Sequence, residues 1–419
     1  MHLNNISKLI EIQETKVVGI DCGLADEIHI YVEAETYEQS CPCCKSTHTI
    51  RNGKDGNRRV IHLPISGKKC ILIAPKVRLE CKACGATYAY EYTFVSGKQR
   101  YTKAYKAHLY EMAIGSTVKH TAEITQTPYS TTERFFKDTV RSLTPATKEH
   151  VQEQAQNSAK LILGIDDFAI RKGHNYNTGI HDLRGESFLD IIEGRTLAEL
   201  RLHMENNPLL ALLKPFAIVM DLAQTYHTFS KEFFPEAIRV ADRFHVNGYI
   251  IDALNEVRRR VSKDLAPQAR LNLKRHKHLL NKRNDSLTDT QQVQLDILLS
   301  YSDDLKAVYE LKELLIDWYD CSPNHQLAQV GFQSWLDTGH SFCIPEIDKA
   351  LKTFVNWRNE ITNYHLCRFT NGIVEGRNGK IKSLQRRRFF VRNRTFYESL
   401  IILECNKETA QEQFRRIVS

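Results

Sequence analysis

The chain has 419 residues, 26% charged and 42% hydrophobic, which is ordinary for a soluble globular protein and long enough for two to four domains, each with its own core. It contains no unbroken apolar run long enough to span a bilayer, and its opening, MHLNNISKLIEIQETK, lacks the charged-then-apolar pattern of an export signal, so the expectation is a cytoplasmic protein that does not engage a membrane. The formal charge of +8, from 58 Lys and Arg against 50 Asp and Glu, is a modest excess, but its basic residues crowd positions 51–69, 258–283 and 377–394, and such patches attract polyanions.

Any one of these patches is equally a solvated helix face; three together favour nucleic acid. Residues 1–35 carry weak signals: a short amphipathic opening, then strand-like alternation at 16–21 and 27–33. Six of the eleven cysteines lie between Cys41 and Cys84. An odd total in a chain without an export signal argues against a disulfide framework and towards metal binding. Cys41-Pro42-Cys43-Cys44 and Cys81-Lys82-Ala83-Cys84-Gly85 each hold a Cys-x-x-Cys knuckle, separated by strand-like segments at 60–63 and 70–79. Each knuckle turns two thiolates towards one metal, and Gly85 eases the second bend. Cys41, Cys44, Cys81 and Cys84 are therefore expected to bind a structural zinc ion, whose four thiolates leave no open position and replace the core that so short a segment lacks. Buried or redox-active cysteines are the competing reading. Cys43 and Cys70 are spare thiols, and Cys43 competes with Cys44 as a ligand.

Between residues 101 and 143 the pattern turns helical. Ala122 and Ile124 suit a short first helix, and Thr127-Pro128-Tyr129-Ser130 suits a turn. Ser130 or Thr131 would cap a second helix, with Glu133 completing a capping box with Ser130. Such a helix-turn-helix predicts recognition from residues 131–140, presenting Thr132, Arg134 and Lys137 to a major groove. A helical hairpin that binds nothing is the alternative.

Residues 158–245 alternate strand and helix: strands at 161–166, near 179–183 and at 188–192, a helix at 197–204, a strand at 216–221, a helix, and a strand at 237–241. Three strands joined by short turns are expected to be antiparallel, and the helical crossover to return the fourth parallel to the first. If strand four pairs beside strand one, Asp166 and Asp221 become neighbours at adjacent strand ends. A poorly solvated carboxylate at such a position needs a partner. From residue 246 to about 359 long helical periodicities dominate. Glu375 then stands ahead of a dense basic stretch, on a helix that would cover the sheet edge and supply a third carboxylate. Clustered hard oxygens suit Mg2+ or Mn2+ and two-metal phosphoryl transfer. Any one of these acids alone is more readily a cap or turn residue; their joint placement points to a site. Asp167 is the second choice for the first position, although strand alternation sends it to the opposite face. Asp182, Asp190, Asp242 and His245 read as structural.

After Glu375, the residues Arg377, Lys380, Lys382, Arg386, Arg387 and Arg388 are expected to contact DNA phosphates, with Arg392 and Arg394 continuing the run. Phe389 and Phe390 fit core packing better than base stacking.

With these segments in place, the sequence resembles the ISL-three group of insertion-sequence transposases, of the DDE type with an RNase H-like core. The matching segments are CPCC, CKAC, GIDDFAIRKGHNY, VMDLAQTY, VADRFHV and NGIVEGRNGKIKSLQRRRFF, in that order, from about Cys41 to the C-terminus. The resemblance implies that Asp166, Asp221 and Glu375 form the catalytic, Mg2+-binding triad, and that the helical stretch is an insertion in the core. One departure is that Asp166 is followed by Asp167, where an Asp-Glu pair is common in the family.

The resulting expectation is a multidomain α/β protein. An N-terminal segment and four-cysteine ribbon occupy residues 1–95, and a helix-turn-helix 96–150. An RNase H-like mixed-sheet core begins at 158–245, is interrupted by a helical insertion at 246–360, and ends in a C-terminal helical part at 361–419. The implied activity is binding of terminal inverted repeats, metal-dependent cleavage and strand transfer into target DNA, by at least a homodimer that holds two ends together. A domesticated or regulatory DNA-binding protein and a related metal-dependent nuclease are the alternatives.

Overall fold

The computed structural model describes residues 10, 12, 14–23, 26–171, 175–388 and 393–418. The chain forms two compact units, Met1–Leu143 with Gln411–Ser419, and Thr144–Ala410.

The first unit is built on strands β1 (Thr15–Asp21), β2 (Glu27–Ala34), β3 (Thr49–Ile65), β4 (Lys68–Cys81) and β5 (Thr87–Ala89). They are ordered β1-β2-β4-β3, with β5 on the free part of β4. The short strands expected at 60–63 and 70–79 are parts of one long hairpin. Ser66 and Gly67, both at positive φ (51° and 76°), make the two-residue turn between its arms, a geometry matched to strand twist. Residues 51–59 lack apolar alternation, so their own pattern does not mark them as strand. Pairing with β4 carries them, with the register slipping between Arg51 and Lys54 and again between Lys54 and Asn57, beside Gly53 and Gly56 at positive φ. Ile30, Val32, Val60, Cys70, Leu72 and Ala74 form the core beneath this sheet.

Three helices follow: α1 (Lys103–Gly115), α2 (Val118–Ile124) and α3 (Tyr129–Gln156). Thr102 and Thr117 cap the first two by accepting from the Tyr105 and His120 amides. The predicted turn is present, but α3 begins at Tyr129, where the Pro128 carbonyl accepts the amides of Thr131 and Thr132. Ser130 and Thr131 thus lie inside the first turn instead of capping it, and the Glu133 carboxylate accepts from Lys137 Nζ at 2.9 Å instead of closing a capping box. The helix runs on to Gln156 through Pro145.

In the second unit, β6 (Ile162–Arg171), β7 (Asn175–Asp182), β8 (Ser187–Glu193), β9 (Ala217–Met220) and β10 (Ile238–Ala241) form a mixed sheet in the order β10-β9-β6-β7-β8. The first three are antiparallel, and β9 returns parallel to β6 with Ile165 opposite Met220, as the crossover argument predicts. Alternation gives the sheet two apolar faces. Leu163, Ile165, Ile218 and Met220 pack with α4 (Leu197–Asn206) and α5 (Gln224–Phe233). Ile162, Ala217, Val219 and Val240 belong to the opposite core. That core is supplied by α6 (Arg243–Asp264), α7 (Asp303–Cys321), α8 (His325–Ser341) and α9 (Pro345–Asn356), and by Val374 at the start of α10 (Gly372–Arg387). The stretch between β10 and α10 is helical among its regular elements, and α11 (Arg394–Cys405) follows α10. Gly164 decides how closely α10 approaches the sheet. A Cβ there would lie 2.6 Å from Leu183 Cδ2 and 3.0 Å from both Asn371 Oδ1 and Val374 Cγ2. Among the described residues no helix is long and apolar enough to cross a membrane.

Candidate metal centres

The two cysteine knuckles repeat one backbone pattern. The Cys41 amide donates to the Ser46 carbonyl and the Lys45 amide to the Cys41 carbonyl. In the second knuckle Cys81 donates to Ala86 and Gly85 to Cys81, and all four bonds are 2.9 Å. Lys45 and Gly85 both sit at positive φ, 61° and 73°; glycine adopts this readily, and Lys45 shows that the bend itself requires it. The Sγ atoms of Cys41 and Cys84 are 3.7 Å apart and those of Cys44 and Cys81 3.5 Å, with all four ligand atoms within 4.8 Å of one another. A tetrahedral zinc ion with ordinary Zn–S bonds sets its sulfurs about 3.8 Å apart, so this donor set fits zinc. The amide of Cys44 lowers the Cys41 thiol to about 6 and the amide of Cys84 lowers that of Cys81, while hydrogen bonding among the neighbouring thiols raises Cys44 and pushes Cys84 up to about 12, so two of the four protons leave readily and a bound cation would displace the other two. The spare thiols separate cleanly. Cys43 is exposed and outside the cluster, whereas Cys70 is buried in the sheet core, where desolvation pushes it up to about 12.

The second cluster sits where parallel pairing ends in the mixed sheet. β6 continues past Asp166 to Arg171, paired with β7, but its pairing with β9 stops at Ile165 and Met220. Asp166 and Asp221 therefore emerge side by side, as the strand order predicts. One ligand atom from each, together with one from His245 in the first turn of α6, lies within 4.8 Å of the others. Asp166 is 8% exposed. Its Oδ2 accepts from Asn378 Nδ2 at 2.8 Å and its Oδ1 from the Asp167 amide at 2.7 Å. Burial, reinforced by the neighbouring Asp221 charge, pushes Asp166 up to about 7. Contact with Asp221, Nε2 to Oδ1 at 2.8 Å, pushes His245 up to about 9.

Glu375 lies in the first turn of α10, exposed, and outside the group of atoms within 4.8 Å. Desolvation and the charges of Asp242 and Asp221 raise its pKa, so it shares the electrostatic field of the cluster. Asp242 sets its position. This fully buried side chain accepts the Asn371 amide at 2.9 Å, fastening the start of α10 to the end of β10. Asp167 takes the other side of the strand and pairs with Arg195 at 2.9 Å.

Three residues that matter here were not singled out in the sequence as part of the site. Asp242 and His245 are three apart on one helical start, and Asn378 is three residues after Glu375. That spacing puts them on shared faces, a signal that was present in the sequence.

The residues expected to contact DNA divide. Thr132 is fully buried, its hydroxyl donating to the Pro128 carbonyl, so it is not on the surface that a groove would meet. Arg134 is exposed, with its guanidinium over the Phe135 ring at 5.2 Å, and Lys137 pairs with Glu133. Arg377 is 5% exposed and donates to His181 Nδ1 at 3.1 Å. Helical phase turns it into the core between α10 and β7 and away from phosphates. Lys380, Lys382 and Arg386 are exposed, Arg388 is half-buried, and Arg387 pairs with Glu404 at 2.9 Å. Arg394 pairs with Glu193 and Glu398. Phe389, Phe390 and Arg392 lie outside the described residues. In the basic patch at 258–283, Arg260 is held by Asp304 and Glu346, and Arg283 by Asp320.

The ISL3-type DDE family model, described as transposase, matches residues 163–401. The model described as zinc-finger of transposase IS204/IS1001/IS1096/IS1165 matches residues 38–84. Over 354 residues the chain is 29% identical to the transposase for insertion sequence element IS1001 of Bordetella parapertussis, covering 81% of this chain and 82% of that protein.

Proposed function

Because this chain belongs to the ISL3 family of DDE transposases, we propose that it moves an insertion sequence by cutting DNA at the element's ends and joining those ends to target DNA. The observation that carries this reading is the convergence of Asp166 and Asp221 at the neighbouring ends of β6 and β9.

In this reading the sheet order and helical interruption are those of an RNase H-like core, with Asp166, Asp221 and Glu375 as its catalytic triad. The donor atoms suit Mg2+ or Mn2+. When bound, such a cation activates the attacking oxygen and stabilises the leaving one in an in-line displacement. Asn378 holds Asp166 in one rotamer through Oδ2, and the Asp167 amide holds Oδ1. Gly164 and Asp242 fix the start of α10 and so the reach of Glu375. Water attacks the phosphorus, the bond to the 3′ oxygen breaks, and a 3′-hydroxyl is released. In the second step that hydroxyl attacks the phosphorus of a target phosphodiester, forming the new P–O bond as the bond to the target strand's own 3′ oxygen breaks and leaves as a hydroxyl. Lys380, Lys382 and Arg386, along the exposed side of α10, would hold the flanking phosphates.

The zinc ribbon and a helix-turn-helix formed by α2 and α3 would bind the terminal inverted repeats. Arg134 and Lys137 are available on α3 for that contact, and Thr132 supports the helix from inside. Two ends held together require at least a homodimer.

Incubating purified protein and Mg2+ with DNA carrying the element's ends and a target plasmid tests the reading. Cleavage followed by joined product is the expected result. Specific binding with no cleavage would support a regulatory DNA-binding protein instead, and cleavage that never yields joined product would support a nuclease.

A further inference from the structure

We infer that His245 is itself a metal ligand in the carboxylate site, so that the innermost donor set is Asp166, Asp221 and an imidazole nitrogen. This rests on the reading of Asp166 and Asp221 as a metal-binding pair and adds a ligand of different chemistry to it.

Four observations support the assignment. His245 supplies an atom within 4.8 Å of both aspartate oxygens, whereas Glu375 is outside that group. The contact with Asp221 brings the two donor atoms face to face: Nε2 lies 2.8 Å from Oδ1, an oxygen shielded from solvent. One cation placed beside them would touch both atoms without moving either residue's backbone. His245 is also held from behind. It lies in the first turn of α6, whose Val246 and Ile250 are fully buried, and that helix starts at Asp242, itself bonded to Asn371. Finally, an imidazole that ligates gives its proton to solvent, and the two aspartates then carry the charge that balances one divalent cation, with Glu375 adding a further carboxylate from outside.

A nitrogen donor has a consequence for metal choice. Imidazole suits transition metals such as Fe, Ni, Cu and Zn best; Mn2+ stands at the start of that series and accepts a nitrogen donor more readily than Mg2+, which prefers all-oxygen surroundings. The site should therefore favour Mn2+ over Mg2+ more strongly than three carboxylates would.

The test uses the full-length, zinc-loaded protein with Mn2+ and reads the electron spin-echo modulation of bound Mn2+ for coupling to 14N. Wild type is expected to show imidazole coupling. His245→Ala is expected to lose it and to bind Mn2+ more weakly. His245→Asp is expected to bind Mn2+ without coupling and to narrow the preference for Mn2+ over Mg2+. Asp221→Asn serves as the site control. If Asp221→Asn removes the bound Mn2+ but the wild type shows no 14N coupling, the ligand assignment is wrong and the aspartate pair stands. If Mn2+ binding is absent from wild type or untouched by Asp221→Asn, the aspartate reading falls and the ligand assignment with it. Circular dichroism melting of each variant separates ligand loss from misfolding.

Discussion

The four thiolates of the amino-terminal unit come from two short segments, 41–44 and 81–84, each bent by its own backbone hydrogen bonds. The acidic site draws instead on the ends of β6 and β9, the first turn of α6, and two positions on α10. The first cluster is closed, with four sulfur donors that complete a tetrahedron. The second mixes oxygen and nitrogen donors and has an exposed glutamate at its margin. A site of the first kind holds its own segment together, and its metal contributes to folding directly. A site of the second kind depends on a sheet and helices that fold around separate apolar cores. A metal held there would be a reagent and not a staple.

The largest expected effect tests that contrast. Cys81→Ser should abolish zinc binding, measured by elemental analysis, and remove a stabilisation of about 10 kcal/mol from the ribbon. Mn2+ binding at the aspartate site should persist in the same variant. Loss of both metals together would mean that the two sites are not independent in the way their cores suggest.

Next in size is Asn378→Ala, which takes the hydrogen bond away from Asp166 Oδ2 without touching a carboxylate. Removal of such a supporting partner typically lowers metal affinity or activity by about 10- to 100-fold. Titration with Mn2+ should show the loss, with zinc content unchanged. An unaltered affinity would remove Asn378 from the positioning role assigned to it.

The contrast also explains what the sequence made legible. The ribbon could be read because its ligands follow a local spacing, and the strand order could be read because apolar runs and short turns leave few topologies. Asp166 and Asp221 became neighbours from that order alone. Residues 51–59 carry no strand signal because pairing with β4, not their own pattern, makes them strand. Thr132 and Arg377 looked like DNA contacts because composition does not reveal helical phase, and packing turned both inward. His245 is a different case: a histidine on a helical start reads as structural until β9 brings Asp221 against it.

The smallest expected effect is a control that belongs to neither metal site. His365 is 7% exposed among Trp318, Tyr319 and Tyr364. Burial, then Arg368 and other nearby cations, lowers it from 6.5 to about 4. The unfolded chain therefore binds a proton between these values that the folded chain does not. Its contribution to stability is complete above about pH 6.5 and declines as pH falls towards 4. Thermal melts of wild type should show a declining Tm across that window, and His365→Phe should flatten part of the decline. An identical profile in both proteins would place the acid sensitivity elsewhere.

The central claim is that the aspartate pair carries out phosphoryl transfer on DNA. Its most direct test compares wild type with Asp221→Asn on DNA bearing the element's ends, measuring strand cleavage and end binding in the same Mg2+-containing reaction. Binding that persists while cleavage disappears is the predicted result; cleavage by the Asp221→Asn protein at the wild-type rate would contradict the claim.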